Sequence, residues 1–522
     1  MNSASLGRET VLNLVCFMVG AALLSALLNC VCYAATIMHT EGDSRQFHPC
    51  GAHSVDWNLQ KSWDQPNSVG ASRRHTGMAV QTKRAGKYES GQGTTRNYAK
   101  ALYLYRFAAS KNFAPAQDHL GWIYQSGQGV PVDLRQAFNL YSRAAAQGYA
   151  PAQTKLALMY YVGLGRAQNF PRALALFRKA AESGYPCAQN NLGVMCARAE
   201  GLPKDLARAI FWYRKAADKN CPEAQYNLAY SYYYGKGQPK DVKKAIEWFE
   251  KAAEGNCPEA LYDLSIIYRE GHDVAKDPSK ALVFLKRASQ LGFAQALNNL
   301  GMVYATGDGV QKDLQQAFEL FSKSANLGQA EAQYNLAQLY QAGELNQPDL
   351  PKAVEWYKKS AEQGYDLAQL ELGLCLLNGK GVAKNSDQAL QWIRRSADQG
   401  NARAQFNMAM QLHAGNGTQQ NDDQAIKWYQ MAASQGMPQA QTNLALLYMN
   451  RAKQDYKESA KLLQMAANNG FATAQMRLAF YYQSGIGVDK DISKALYWYQ
   501  KAAEQDYPEA KQKLELLRSG QQ

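Results

Sequence analysis

The chain has 522 residues, more than one hydrophobic core usually supports, so its length predicts several domains or a repeated unit. Hydrophobic residues make up 46% and charged residues 19%, a composition that argues against disorder over most of the length. The net charge of +13 is spread over single Lys and Arg residues, mostly one or two helical turns from an acid. This pattern favours solvated helix faces over a nucleic-acid-binding stripe, and leaves open a weak attraction to anionic envelope polymers or lipids.

The N-terminus predicts an export signal. Residues 11–28 hold no charged side chain, Arg8 precedes them, and small residues follow at Ala34 and Ala35. This is the pattern of a secretory signal cut after Ala34 or Ala35. The apolar run of 18 residues also approaches the length of a membrane span, so an uncleaved anchor is the alternative.

We therefore assign residues 1–35 to a signal peptide or signal anchor. Either form places the rest outside the cytoplasm, in the periplasm or cell envelope or secreted, with membrane contact only through this segment if it stays uncleaved. Residues 36–77 are polar, hold four of the seven histidines and predict a flexible linker. Their run His48-Pro-Cys50-Gly-Ala-His53 lacks a fourth metal ligand, and we predict no metal or cofactor.

One motif then dominates the chain. An alanine, followed in most copies by glutamine, recurs every 36 residues, with one step of 34 before Ala474, at Ala116, Ala152, Ala188, Ala224, Ala260, Ala296, Ala332, Ala368, Ala404, Ala440, Ala474 and Ala510. A fixed period of this length predicts stacked copies of one supersecondary unit.

Each copy predicts a helical hairpin. In the first full copy, Leu120 lies four positions after the alanine, the small Gly121 follows, and Tyr124 lies eight positions after the alanine. Spacings of four place these side chains on one helical face, where the small residue admits a second helix. A glycine pair beginning at Gly127 predicts the end of the first helix, and Asp133 predicts the start of the second.

The second helix has alanine at its start, a double alanine near its end, and a bulky, mostly aromatic residue between them. The register also extends back to a degenerate first unit and forward to a lone helix at Ala510, as expected for the ends of a repeat array. The sequence therefore predicts an all-α domain over residues 78–519, a solenoid of antiparallel helix pairs with about twelve 36-residue repeats.

The strings Ala-Gln-x-Asn-Leu-Gly-x-x-Tyr, Gly-x-Gly-Val and Asp-x-x-Lys-Ala-x-x-Trp-Tyr-x-Lys-Ala-Ala-Glu-x-Gly closely resemble the Sel1-like repeat, a relative of the tetratricopeptide repeat. The resemblance implies a right-handed superhelix whose concave groove binds other proteins or peptide segments. It also implies a non-enzymatic scaffold or adaptor, in envelope assembly or, as a virulence factor, in host-cell interaction.

An enzyme is not predicted. The sequence contains no Gly-x-Ser-x-Gly elbow, no Ser-x-x-Lys, no phosphate loop ending in Gly-Lys-Ser/Thr and no His-Glu-x-x-His. One branch of the resembling family staples each repeat with a cysteine pair and is linked to penicillin-like compounds, but Ala216 and Ala217 occupy that position here. A periplasmic regulator or binder of peptidoglycan or penicillin-like compounds, or a weak hydrolase, is the alternative function.

Two sets of side chains are candidates for binding a partner. The first is an asparagine three positions after the repeated alanine, which in tetratricopeptide domains faces the inner groove, at Asn191, Asn227, Asn299 and Asn335. An amide both donates and accepts, so it suits a peptide backbone. Its alternative role is a hydrogen bond to the neighbouring helix.

The second set comprises Tyr226, Tyr230 and Tyr233, with Tyr262 and Arg269 in the next unit. Spacings of four and three place the first three tyrosines along one side of a helix. Tyrosine and arginine are enriched in binding hot spots. Ordinary packing between helices is the alternative, because tyrosine is also the usual filler of this repeat.

The cysteines predict mainly buried thiols. After a signal cut, six remain, at Cys50, Cys187, Cys196, Cys221, Cys257 and Cys375. Cys187 and Cys196 are nine residues apart on one predicted helix, too far to bridge each other, while one disulfide elsewhere stays open.

Overall fold

The computed structural model describes residues 73–518 except 272, 344–346 and 451–454. Within these residues the secondary structure is entirely helical and comprises 25 helices. The first helices of the successive pairs, and the last lone helix, are α1 (Arg73–Ser90), α3 (Ala114–Ser126), α5 (Ala150–Val162), α7 (Pro186–Arg198), α9 (Pro222–Tyr234), α11 (Pro258–Glu270), α13 (Ala294–Thr306), α15 (Ala330–Ala342), α17 (Asp366–Asn378), α19 (Ala402–Ala414), α21 (Pro438–Asn450), α23 (Ala472–Ser484) and α25 (Pro508–Arg518). The second helices are α2 (Tyr98–Ser110), α4 (Leu134–Ala146), α6 (Phe170–Glu182), α8 (Leu206–Ala217), α10 (Val242–Glu254), α12 (Pro278–Gln290), α14 (Leu314–Asn326), α16 (Leu350–Glu362), α18 (Ser386–Asp398), α20 (Asp422–Ser434), α22 (Tyr456–Asn468) and α24 (Ile492–Ala503).

The predicted fold class, an all-α solenoid of helix pairs, is confirmed. Helices α1 to α12 pack in succession, each on the next, and so do helices α14 to α25. The chain divides into a compact unit that ends at Leu300 and another that begins at Gly301. Helix α1 begins at Arg73, inside the segment predicted as a linker.

The small position in each first helix is required by close packing. A Cβ atom on Gly193 would lie 2.6 Å from the Tyr213 ring of the paired second helix. In the second unit, a Cβ atom on Gly301 would lie 2.7 Å from the Phe321 ring. Contacts this short exclude any larger side chain without movement of the ring, so the aromatic filler and the small residue fit together.

The second helices all begin with the same cap. An Asp or Asn side chain accepts a hydrogen bond from the backbone N–H three residues later, at Asn97, Asp133, Asn169, Asp205, Asp241, Asp277, Asp313, Asp349, Asn385, Asn421, Asp455 and Asp491. Helix α3 ends at Gly127, whose φ is 72°, whereas α7 ends at Ala199, with φ 60°. The predicted helix boundaries are thus confirmed, with Ala199 replacing the usual glycine.

The glutamine after the repeated alanine has a structural role that the sequence does not reveal. Its Nε2 donates to the carbonyl of an alanine eight residues earlier, in the last turn of the preceding second helix, at 3.1–3.4 Å. The nine residues that make this glutamine clasp are Gln117, Gln153, Gln189, Gln225, Gln333, Gln369, Gln405, Gln441 and Gln475. The same carbonyl also accepts a hydrogen bond from the backbone N–H three residues later, as Ala145 does from Gly148 at 3.0 Å. The clasp therefore occupies the second lone pair of the carbonyl and joins the end of one second helix to the next first helix.

In one repeat an arginine replaces the glutamine as the side-chain donor to this carbonyl. Leu261 occupies the glutamine position there, and Nη2 of Arg287 donates instead to the carbonyl of Ala253, at 2.9 Å. The Ala253 carbonyl also accepts from the backbone N–H of Asn256 at 3.0 Å. In both arrangements a side chain of the following repeat therefore supplies the second donor to this carbonyl, and the identity of that side chain can change.

Four cysteines are buried free thiols, at Cys196, Cys221, Cys257 and Cys375. Burial, with Glu259 close by, raises the pKa of the Cys257 thiol, and burial raises that of Cys375 to about 11. Cys187 is bonded in a disulfide, so the prediction of a buried thiol is wrong for this residue, and no bridge joins it to Cys196.

None of the described helices combines the length and the apolar character needed to cross a bilayer. The predicted signal segment and most of the predicted linker, including the run from His48 to His53, lie outside the described residues.

Candidate functional site

Polar side chains link the first helices of successive repeats in the first unit. The residue two positions after the repeated alanine bonds to the residue three positions after the next repeated alanine. We call this set the first-helix ladder: Asp118 Oδ2–Lys155 Nζ (2.7 Å), Asn190 Oδ1–Asn227 Nδ2 (2.8 Å), Tyr226 OH–Asp263 Oδ2 (3.0 Å) and Tyr262 OH–Asn299 Nδ2 (2.9 Å). Together with the glutamine clasp, the ladder supplies specific polar contacts between successive hairpins.

The candidate asparagines of the first unit take part in these contacts. Asn227 is fully buried and donates to Asn190, and the half-buried Asn299 donates to Tyr262. Asn191 is also buried, with its Oδ1 3.5 Å from Nδ2 of Asn190. For Asn227 and Asn299 the structure therefore shows the second interpretation given above, a hydrogen bond to the neighbouring helix.

The fourth candidate asparagine belongs to the other unit. Asn335 is half-buried on α15. Whether any of the four amides holds a partner stays a prediction.

Tyr226 and Tyr230 lie in the packed interior of the first unit. Their side chains are 2% and 1% exposed. The Tyr226 ring lies 5.6 Å from Phe249 of the paired second helix, and Nζ of Lys236 donates to the Tyr230 hydroxyl at 3.0 Å. Burial, together with the carboxylate of Asp263, raises the pKa of Tyr226. Spacing placed these rings on one side of α9 correctly, but that side faces the second helix and gives them a packing role.

The exposed part of this tyrosine group lies at the end of α9. Tyr233 is half-buried and its hydroxyl donates to Oδ2 of Asp273, in the loop of the next repeat, at 2.8 Å. Burial and this hydrogen bond raise the pKa of Tyr233. Tyr234 is 46% exposed, and the Nζ atoms of Lys236 and Lys240 lie 5.8 Å and 5.6 Å from the rings of Tyr234 and Tyr233.

The other two candidates, Arg269 and Tyr262, lie on α11 and differ in their exposure. Arg269 is exposed, and the nearest carboxylate in the described part of the chain is Glu270, at 4.0 Å. Tyr262 is half-buried, bonded in the ladder and packed 5.4 Å from Phe293. The exposed side chains here are thus Tyr234, part of Tyr233, and Arg269.

Sequence reasoning missed Tyr234, although the run Tyr232–Tyr234 before a glycine marks an aromatic helix end. It also missed Asp263 and Asp273, the acceptors of Tyr226 and Tyr233. These acceptors lie 37 and 40 residues away in sequence, and only the stacking of one repeat on the next brings them into contact.

The comparison with known proteins rests on the repeat. The family model described as "Sel1 repeat" matches twelve times, at residues 82–113, 114–149, 150–185, 188–221, 222–257, 258–293, 294–329, 330–365, 366–401, 402–437, 438–471 and 472–507. No curated protein matches the chain.

Two solved structures illustrate the likeness. A protective antigen present in uropathogenic Escherichia coli strains, which displays an SLR fold, is 33% identical with a TM-score of 0.63. That alignment covers 80% of this chain and 90% of the antigen. A Sel1 repeat protein from Oxalobacter formigenes is 31% identical with a TM-score of 0.46, and the alignment covers 59% of this chain and 90% of the other.

Proposed function

This chain belongs to the Sel1 repeat family, and from that membership we propose that it is an exported scaffold that holds partner proteins outside the cytoplasm. Sel1 repeat proteins generally mediate protein–protein interaction and are typically non-enzymatic. The more specific parts of the proposal are the location in the cell envelope or beyond it, a role in envelope assembly or host-cell interaction, and the residues that contact the partner.

The observation that carries the proposal is a contrast between buried and exposed side chains. Packing occupies the repeated alanines and the aromatic filler, such as Tyr213, which is fully buried. Tyr234 and Arg269 are exposed at the ends of their helices, and the Tyr234 ring is held 4.5 Å from that of Tyr230. Tyrosine and arginine give large contact energies at interfaces, so this end of α9 and α11 suits a protein partner.

The N-terminal sequence supports the location. Its uncharged run after Arg8, followed by Ala34 and Ala35, has the order of charged, apolar and small residues that export signals share. The similarity to a protective antigen of uropathogenic Escherichia coli favours host-cell interaction among the possible roles.

Site-specific photo-crosslinking tests the scaffold. A photoreactive phenylalanine analogue in place of Tyr234 is expected to capture a second protein in living cells, identified by mass spectrometry. The same analogue at Tyr497, which is 54% exposed in the last helix pair, is the matched control. Crosslinks at neither position, or only between two copies of this chain, would overturn the proposed surface.

The location has a separate test. Alkaline phosphatase fused after Arg518 is expected to be active, because the enzyme needs disulfides that form outside the cytoplasm. An inactive fusion of normal abundance would contradict export.

A further inference from the structure

The net charge of the chain is confined to one segment. Residues 80–221 contain 20 Lys and Arg against seven Asp and Glu, whereas residues 222–522 contain 32 of each. Residues 1–79 also balance, with five of each. The whole excess of +13 therefore belongs to the first four repeats.

The structure makes this imbalance larger at the surface. Only two of the seven acids, Glu182 and Asp218, are exposed. Seventeen of the twenty basic side chains are exposed: Arg84, Lys87, Arg96, Lys100, Arg106, Lys111, Arg135, Arg143, Arg166, Arg172, Arg178, Lys179, Lys204, Arg208, Arg214, Lys215 and Lys219. Among described residues, only Arg208 of this set lies within 4 Å of a carboxylate, that of Asp205. Nearly all of these charges thus lack a local counter-ion.

Many of the exposed charges form rows on the second helices. Ten of the seventeen lie on α2, α4, α6 and α8. Arg178 and Arg214 occupy the same register on α6 and α8, and so do Lys179 and Lys215. Because the repeats stack in sequence order, equivalent positions form rows along the second-helix face of these repeats.

A cavity of about 560 Å³ opens on this face between α6 and α8. Leu174, Leu202 and Trp212 line its apolar part, and Arg178 and Arg208 lie at its polar part. Phe211, which also lines it, is 51% exposed, and Nζ of Lys215 lies 4.4 Å from its ring. A volume of this size fits one large apolar side chain or a small ligand.

We propose that the second-helix face of the first four repeats binds an acidic, extended segment of a partner protein, with an apolar or aromatic side chain of that segment in the cavity beside Phe211. The proposal rests on the scaffold function and names a partner class for it. The guanidinium group of an arginine binds a carboxylate through two parallel hydrogen bonds. The cavity would then select the apolar or aromatic residue that lies between the acidic residues of the partner segment.

Two other polyanions fit the surface less well. A bilayer presents no side chain that could enter the cavity. Apart from Arg178, Arg208 and Glu182, the lining is apolar, so a nucleobase in the cavity would leave much of its polar edge unpaired and nucleic acid would be held mainly by the charge. The cavity and the charge together therefore favour an acidic peptide.

The test is fluorescence anisotropy on the full chain with a labelled peptide of five Glu-Glu-Phe-Glu units. Replacing Arg178→Glu together with Arg214→Glu is expected to raise the Kd roughly tenfold or more. The matched control, Lys358→Glu with Arg394→Glu, changes the same register on α16 and α18 and is expected to change the Kd less than about twofold. Glu182→Gln removes the carboxylate that lines the cavity and should tighten binding.

Several outcomes would overturn the proposal. They are no binding of the peptide, an equal loss in the two charge-reversal variants, or stronger binding to oligothymidylate or to phosphatidylglycerol vesicles than to the peptide. Circular dichroism verifies that each variant is folded. If these assays fail while Tyr234 still crosslinks a partner, the scaffold function stands and only this partner class is wrong.

Discussion

The first four repeats and the second unit share one packing scheme but differ in their surfaces. Among the described residues of the second unit, nine Lys and Arg side chains lie within 4.0 Å of a carboxylate. In the first four repeats, only Arg208 among the exposed basic side chains lies within 4 Å of a carboxylate. Exposed ion pairs add little to stability, so this difference bears on which partners approach each region. Repetition fixes the interior, and the copies differ at their surfaces.

The shared packing scheme predicts that loss of a buried aromatic ring destabilises a hairpin equally in the two regions. This is the largest of the expected effects. Tyr213→Ala in the first unit and Tyr357→Ala in the second each remove a fully buried ring. Each is expected to destabilise its own hairpin by about 3–5 kcal/mol, by analogy with other aromatic-to-alanine changes in cores. Hydrogen exchange measured by mass spectrometry on the hairpins α7–α8 and α15–α16 would report it.

A solvent-exposed tyrosine is the control for this pair. Tyr103→Ala, at a side chain that is 70% exposed, is expected to change local protection by less than about 0.5 kcal/mol. Strong protection in one of the two hairpins after loss of its ring would show that the units do not share one packing scheme.

The second largest effect is expected from breaking the first-helix ladder. It should destabilise the first unit and leave the second unit nearly unchanged. Asn227→Leu leaves the buried Oδ1 of Asn190 without its donor and is expected to cost about 1–3 kcal/mol. Asn407 occupies the same register in the second unit, but its amide donates to Arg403 of its own helix. Asn407→Leu should therefore cost under about 0.5 kcal/mol in the same exchange measurement. Equal costs would mean that the ladder does not stabilise the first unit.

The smallest effect is expected from the helix caps, whose contribution to stability depends on pH. Hydrogen bonds from the Lys352 side chain and backbone N–H lower the pKa of Asp349, the cap of α16. A carboxyl whose folded pKa is lowered contributes stability above its unfolded pKa of about 3.9 and loses it as pH falls through the lower folded value. Asn169, the equivalent cap in the first unit, does not titrate.

Exchanging these two caps tests the assignment. Asp349→Asn should reduce the fall in thermal midpoint between pH 5 and pH 2, and Asn169→Asp should increase it. Circular dichroism at a series of pH values would measure both changes. No difference between the variants and the unchanged chain would show that the caps do not govern the acid response.

Periodicity was sufficient to predict the helix pairs, the close approach at Gly193 and the caps such as Asp133, because each depends on neighbours in one hairpin. It could not predict the burial of Tyr226, since spacing identifies one side of a helix and not what packs there. The acceptor Asp263 lies 37 residues away in the next repeat, and only the stacked structure shows it. The excess of basic residues in residues 80–221 is visible in the sequence. It was overlooked because the charge was considered over the whole chain and not repeat by repeat.

The glutamine clasp has a consequence for how such chains change length. The carbonyl lies in one repeat and its donor in the following one, so duplication or loss of a whole 36-residue copy joins an acceptor to a new donor of the same kind. Where Leu261 interrupts the series, Arg287 belongs to the same copy, residues 258–293, and a duplicated segment would carry its replacement donor with it. Growth by unequal recombination can thus keep this side-chain contact between neighbouring copies at a new junction, wherever the copy that follows carries the glutamine or its arginine substitute.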